Sequence, residues 1–213
     1  MEIMNASSRE IATPLGPARV HAVDPDGAVR GTLVLGHGAG GGVAAPDLLA
    51  VSSAAVAAGW RALRVEQPWR VAGKKVAPAP ARLDEGWTTV LAALRADADL
   101  PGLLVLGGRS AGARVACRTA SALGADGVLT LAFPLHPPGR PERSRADELT
   151  AVDLPLGVVQ GERDAFGTPA EVAAELTGRP NASVYAVPGD HGLKANPDVV
   201  AAAAVDLLGG VAR

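Results

Sequence analysis

Ser110 sits in Gly108-Arg109-Ser110-Ala111-Gly112, between the apolar run Leu103–Leu106 and an Ala-rich, helix-favouring stretch. Glycine two positions to either side of a serine is the pattern of a nucleophile elbow. The strand-to-helix turn is so tight that the serine takes a strained conformation and its hydroxyl stands clear of the backbone. A serine hydroxyl is a weak nucleophile and needs a base within hydrogen-bond reach. Two downstream turns supply candidates, Gly161-Glu162-Arg163-Asp164 and Gly189-Asp190-His191-Gly192. A neutral imidazole at His191 takes the Ser110 proton and returns it to a leaving group. A carboxylate at Asp164 holds that imidazole in the right tautomer. Asp190 is the rival acid, but it adjoins His191 in sequence and is expected to point elsewhere.

The second chemical stretch is Gly36-His37-Gly38-Ala39-Gly40-Gly41-Gly42. Backbone N–H groups that stabilise an oxyanion must approach it closely, which favours small residues. The expected donors are the N–H of Ala111, at the start of the helix after Ser110, and that of Ala39 or Gly40. His37 is placed beside the substrate, bracing this loop by hydrogen bonds. Arg109, next to the nucleophile, is expected at the rim of the site as a substrate-binding residue or as the partner of a nearby carboxylate.

Other chemistries compete for the same residues. Gly36-x-Gly38-x-x-Gly41 fits a dinucleotide-binding string, and Glu66 ends the next strand, where a ribose-binding acid would stand. That reading leaves Ser110, Asp164 and His191 unexplained. His37, His136 and His191 lack the spacing of a metal site, so no metal and no cofactor is expected. Cys117 is expected to be a small core residue. Basic residues gather in two loops, Arg70, Lys74, Lys75 and Arg82 in one and Arg140, Arg143 and Arg145 in the other. A substrate that carries an anionic group suits such a rim.

These groups need a scaffold that brings distant stretches together. Apolar runs at Gly31–Leu35, Trp60–Glu66, Leu103–Leu106, Gly127–Phe133, Pro155–Gln160 and Ala182–Val187 are expected strands. An earlier strand is expected at Ala18–Val23, and residues 1–17 form a ragged end or an edge strand. Helices are expected from Pro46 to about Gly59, over Asp84–Asp97, from Ala111, from the capping box Thr168-Pro169-Ala170-Glu171, and from Asn196 to Gly209-Gly210. Gln67–Arg82 is expected as a long loop. Alternating strands and helices with continuously apolar central strands predict a mostly parallel α/β sheet covered on both faces. Reactive groups in such a sheet collect at the carboxyl ends of the strands, where the glycine run, Ser110, Asp164 and His191 all fall.

The chain has 213 residues, a length that fits one domain spanning 1–213. Its residues are 48% hydrophobic but only 3% aromatic, so Ala, Val and Leu must fill the core. The net charge of −2 gives no sign of a nucleic-acid partner. No apolar run approaches the ~18 residues a membrane span needs, and Met1–Glu10 lacks a signal-peptide core. With a single cysteine, a cytoplasmic location is the expectation. Composition says nothing of oligomeric state.

Taken together, GHGAGGG, GGRSAGARVA, FPLHPPGRPE, QGERDAFG and GDHG resemble the α/β-hydrolase superfamily over nearly the whole chain. The order Ser…Asp…His is that family's order. More narrowly, the motifs are similar to a small, lidless, dienelactone-hydrolase-like branch. That branch includes the hydrolase-like domain of a histone acetyltransferase complex subunit. Dienelactone hydrolase itself uses a cysteine where this chain has Ser110. The resemblance implies the α/β-hydrolase fold without a cap domain. It also implies cleavage of a small ester or thioester through an acyl-Ser110 intermediate. The alternative it leaves open is a hydrolase fold used as a binding or scaffold module without turnover.

Overall fold

The computed structural model describes residues 6–211. Eight strands form one sheet: β1 (Ala6–Thr13), β2 (Gly16–Val23), β3 (Gly31–Gly36), β4 (Trp60–Glu66), β5 (Leu103–Arg109), β6 (Gly127–Leu131), β7 (Leu156–Gly161) and β8 (Ala182–Val187). Their spatial order is β1-β2-β4-β3-β5-β6-β7-β8. β1 and β2 form an antiparallel hairpin, and β2 also pairs antiparallel with β4. Every pairing from β4 across to β8 is parallel. The sheet is therefore mostly parallel, as the sequence predicts, with an antiparallel edge.

Burial follows position. β3, β6 and β7 are buried along their whole length, because helices cover both faces. β2 alternates, and β1 is exposed along most of its length at the sheet edge. The expectation of an edge strand before residue 17 is thus met for Ala6–Thr13, while Met1–Asn5 lie outside the described residues.

Among the described residues, six α-helices lie between strands and a seventh follows β8: α1 (Pro46–Ala57), α2 (Pro68–Val71), α3 (Pro80–Ala96), α4 (Ala111–Thr119), α5 (Ala146–Thr150), α6 (Pro169–Glu175) and α7 (Pro197–Val211). On one face α1 and α7 lay Leu48, Val51, Ala55, Val200 and Ala204 against Leu33, Leu35, Val105 and Leu129. On the other, α3 and α4 pack Trp87, Leu91, Ala113 and Ala116 against Val34, Leu106 and Val128. Aromatics are few but deeply placed: Trp60, Trp87 and Phe133 are among the largest fully buried side chains.

The structure corrects several boundaries. Gln67–Arg82 is not one long loop. It contains α2, and α3 starts within it because Pro80 takes the first helical position, where a missing N–H costs nothing. β6 stops at Leu131 rather than Phe133, since Ala132 turns to φ 48°. α7 runs through Gly209 and Gly210 to Val211. The capping box at α6 is complete: the Thr168 N–H donates to Glu171 at 2.7 Å, and the Glu171 N–H donates to the Thr168 hydroxyl at 3.3 Å. Among the described residues, no helix is long and apolar enough to cross a membrane.

Candidate active site

The parallel strands deliver four loops to one end of the sheet. Ser110 follows β5 with φ 54° and ψ −108°, the strained elbow conformation. Its N–H donates to Leu131 O at 3.0 Å, and its carbonyl accepts from Arg114 N–H at 3.1 Å, so both ends of the turn are fixed. The flanking glycines are steric requirements. A Cβ on Gly108 would lie 2.4 Å from Gly36 O, and one on Gly112 would lie 2.4 Å from the Gly36 carbonyl. No side chain fits where β3 passes this close to the elbow.

Asp164 follows β7 and His191 follows β8. These two loops are stitched together by the Glu162 N–H to Val187 O and the Arg163 N–H to Gly189 O, both at 2.9 Å. Gly161 permits the approach, for a Cβ there would stand 2.6 Å from Asp190 O. His191 Nε2 is 2.8 Å from Ser110 Oγ, and His191 Nδ1 is 2.8 Å from Asp164 Oδ2. A carboxylate can only accept, so Nδ1 carries the imidazole proton and Nε2 is left to accept from the serine hydroxyl. The structure thus brings Ser110, His191 and Asp164 into one hydrogen-bonded chain. Asp190 does not join them: it is exposed, and its Oδ1 accepts from Gly192 N–H at 2.9 Å in a local turn.

Two supporting residues were missed from sequence. Gln160, fully buried at the end of β7, donates from Nε2 to Asp164 Oδ2 at 3.0 Å. It also bonds both backbone groups of Phe133, and donates to Gly167 O. The Phe166 N–H donates to Asp164 Oδ1 at 2.8 Å, and the Phe166 ring lies 4.1 Å from the His191 ring, centroid to centroid. The signal for Gln160 was available: it is the one polar side chain in the apolar run of β7.

Around the glycine run, Ala39 and Gly40 are exposed, and their N–H groups meet no backbone acceptor among the described residues. Ala111 opens α4, where first-turn N–H groups have no helical partner. His37 is not placed to touch substrate. It is buried, its Nδ1 donates to Gly38 O at 3.0 Å, and its Nε2 accepts from the Gln67 N–H at 3.1 Å. Burial pushes its imidazole below the ordinary histidine range, so the ring is neutral and serves as a brace.

Arg109 likewise departs from the expected rim position. Its side chain is only 11% exposed and turns inward, with Nε 3.3 Å from Asp47 Oδ2 at the start of α1. Glu66 is engaged by Arg19 at 3.4 Å, and α1 begins five residues after Gly41, so the run does not pass directly into a helix as a dinucleotide-binding string does. His136 faces Glu171 at 3.4 Å, and the described residues contain no cluster fit to hold a metal ion. Of the basic loop residues, Arg82 pairs with Glu85 and Arg145 donates to Pro134 O. Arg70 has no carboxylate partner among the described residues and stands 3.8 Å from the position of a Cβ on Gly42.

A family model described as an alpha/beta hydrolase domain matches residues 29–202, and the chain belongs to that family. No curated protein matches its sequence significantly. Among solved structures, a serine hydrolase without a lid from Xanthomonas campestris superposes with a TM-score of 0.79 at 20% identity, covering 99% of this chain and 96% of its own. A serine hydrolase homologue from Coxiella burnetii gives 0.75 at 16% identity, covering 100% and 98%. An esterase of Pyrococcus furiosus gives 0.77 at 15% identity, covering 97% and 90%. At these identities the likeness is one of fold.

Proposed function

We propose that the protein is a serine hydrolase that cleaves a small ester or thioester through an acyl-Ser110 intermediate. The observation that carries this reading is the unbroken chain Ser110 Oγ–His191 Nε2 and His191 Nδ1–Asp164 Oδ2, 2.8 Å at each link. In the first half-reaction Ser110 Oγ attacks the carbonyl carbon while its proton passes to Nε2. Asp164 stabilises the imidazolium. The N–H of Ala111 and that of Ala39 or Gly40 receive the oxyanion, each worth roughly 3 kcal/mol in the transition state. Collapse of the tetrahedral intermediate expels the alcohol or thiol, which takes the proton from Nε2. Water, deprotonated by the same nitrogen, then attacks the acyl-serine, and as that intermediate collapses Ser110 Oγ takes the proton back from Nε2 and the acid is released. The reaction draws on no cofactor.

Fluorophosphonate labelling tests the reading. The native protein is expected to be labelled on Ser110, with labelling abolished in Ser110→Ala. Unlabelled, well-folded protein under conditions that label an ordinary esterase would replace the enzyme with a binding or scaffold module.

A further inference from the structure

The glycine run and the elbow come from different strands, yet an oxyanion site needs donors from both in fixed register. Its first end is tied down at β3, where His37 bonds Gly38 O and the Gln67 N–H. Its second end leads into α1, whose first turn carries Asp47 with no exposed surface at all. The carboxyl of Asp47 is raised by desolvation, and Arg109 is the foremost influence opposing that shift. Arg109 Nε and Asp47 Oδ2, 3.3 Å apart, are not aligned as a hydrogen bond, so this is a buried charge pair rather than a hydrogen-bonded fork, with the backbone N–H groups of Asp47 and Leu48 also favouring the carboxylate.

Arg109 also explains a glycine. The turn closes with Gly41 N–H donating to Gly38 O at 3.2 Å. Gly41 lies outside the left-handed region, so its backbone alone does not demand glycine. A Cβ at Gly41, however, would stand 2.7 Å from Arg109 Nη2. At Gly38, the Cβ position lies 3.5 Å from the Arg109 guanidinium and equally 3.5 Å from Ser110 Cβ. The guanidinium therefore fills the space beneath the turn, beside the nucleophile. An unanchored arginine could move aside for a methyl group, but this one is held against Asp47.

We propose that the Asp47–Arg109 pair is a strut that sets the position of the Gly38–Gly41 turn over Ser110 and so aligns the two halves of the oxyanion site. Arg109 is thus a positioning residue, with its charge spent on Asp47 rather than on substrate. The proposal builds on the serine hydrolase reading for its catalytic consequence, but its structural content stands apart from that reading.

Two measurements test it. The first is ester hydrolysis by Arg109→Met/Asp47→Asn, which removes both charges and strands neither in the interior. Because the loop donors act on the transition state, kcat is expected to fall by roughly 10- to 100-fold with KM nearly unchanged. Gly41→Ala is expected to lower kcat in the same way in the wild-type background. The second is thermal unfolding of a double-mutant cycle. Gly41→Ala is expected to lower Tm in wild type and to leave it unchanged in the background lacking the guanidinium. Equal Tm losses in both backgrounds overturn the strut, and so does wild-type kcat in the double variant. A wild-type protein that neither hydrolyses esters nor labels on Ser110 defeats the hydrolase reading instead, and the Tm cycle still decides the strut.

Discussion

Gln160 and His191 converge on a single oxygen, Asp164 Oδ2, at 3.0 Å and 2.8 Å. The amide supplies a second hydrogen bond to that oxygen, beside the Phe166 N–H on Oδ1, and shares its remaining capacity with Phe133 O and Gly167 O. Replacing Gln160 by Leu frees the carboxylate that orients His191, so kcat for ester hydrolysis is expected to fall about 10-fold with KM little changed. Stability should also fall by about 1–3 kcal/mol, because the Phe133 N–H loses its buried acceptor. An unchanged kcat in folded Gln160→Leu would show that Gln160 serves only the fold.

Asp164→Asn and His191→Ala should each reduce turnover of a p-nitrophenyl ester by orders of magnitude with the unfolding midpoint largely retained. Groups that act as a unit give non-additive losses, so the double variant should be little worse than the poorer single one. Asp190→Asn should be benign, since that carboxylate is occupied in its own turn. Damage from Asp190→Asn combined with a harmless Asp164→Asn would reverse the assignment of the acid.

Cys117 is buried on α4, and its thiol is pushed up to about 12, chiefly by desolvation. At neutral pH almost none of it is thiolate, the form that reacts. Cys117→Ser is expected to leave hydrolysis within a few-fold, and folded protein should resist mild alkylation at neutral pH. Rapid loss of activity with iodoacetamide, absent in Cys117→Ser, would contradict this.

Substrate charge is the remaining expectation. With Arg109 committed to Asp47 and Arg64 donating to Val43 O, Arg70 is a further cation beside the glycine loop without a carboxylate partner among the described residues. For matched neutral and carboxylate-bearing esters, the anionic one should show the higher kcat/KM at low salt. That advantage should shrink with ionic strength and in Arg70→Met. Equal preference at every salt concentration would remove the anionic group from the substrate.

The candidate triad was legible because each member ends an apolar run at a glycine-containing turn, and the alternation of elements places those ends together. The pairing order of the sheet was not legible in the same way. Arg109 was misplaced because its partner, Asp47, looked like an ordinary helix opener, and nothing local shows that α1 turns it inward. Gln160 was passed over as the polar end of a strand. α3 was begun four residues late because three prolines between Gln67 and Arg82 suggested loop, although Pro80 is itself a helix start. The roles of Arg109 and Gln160 are set by residues far away in the chain, whereas the α3 start misread a local signal.

The placement of β8 bears on synthesis. Among the described residues it is the last strand and an edge of the sheet, pairing with β7 alone. A chain made from its N-terminus can assemble β1 to β6, and with them the serine turn, while β8 is still inside the ribosome. His191 follows β8, 81 residues after Ser110, so the serine turn can form before the histidine has been made. Under the proposed function, hydrolytic competence would arrive only when the β8 edge docks on β7 and brings His191 to Ser110.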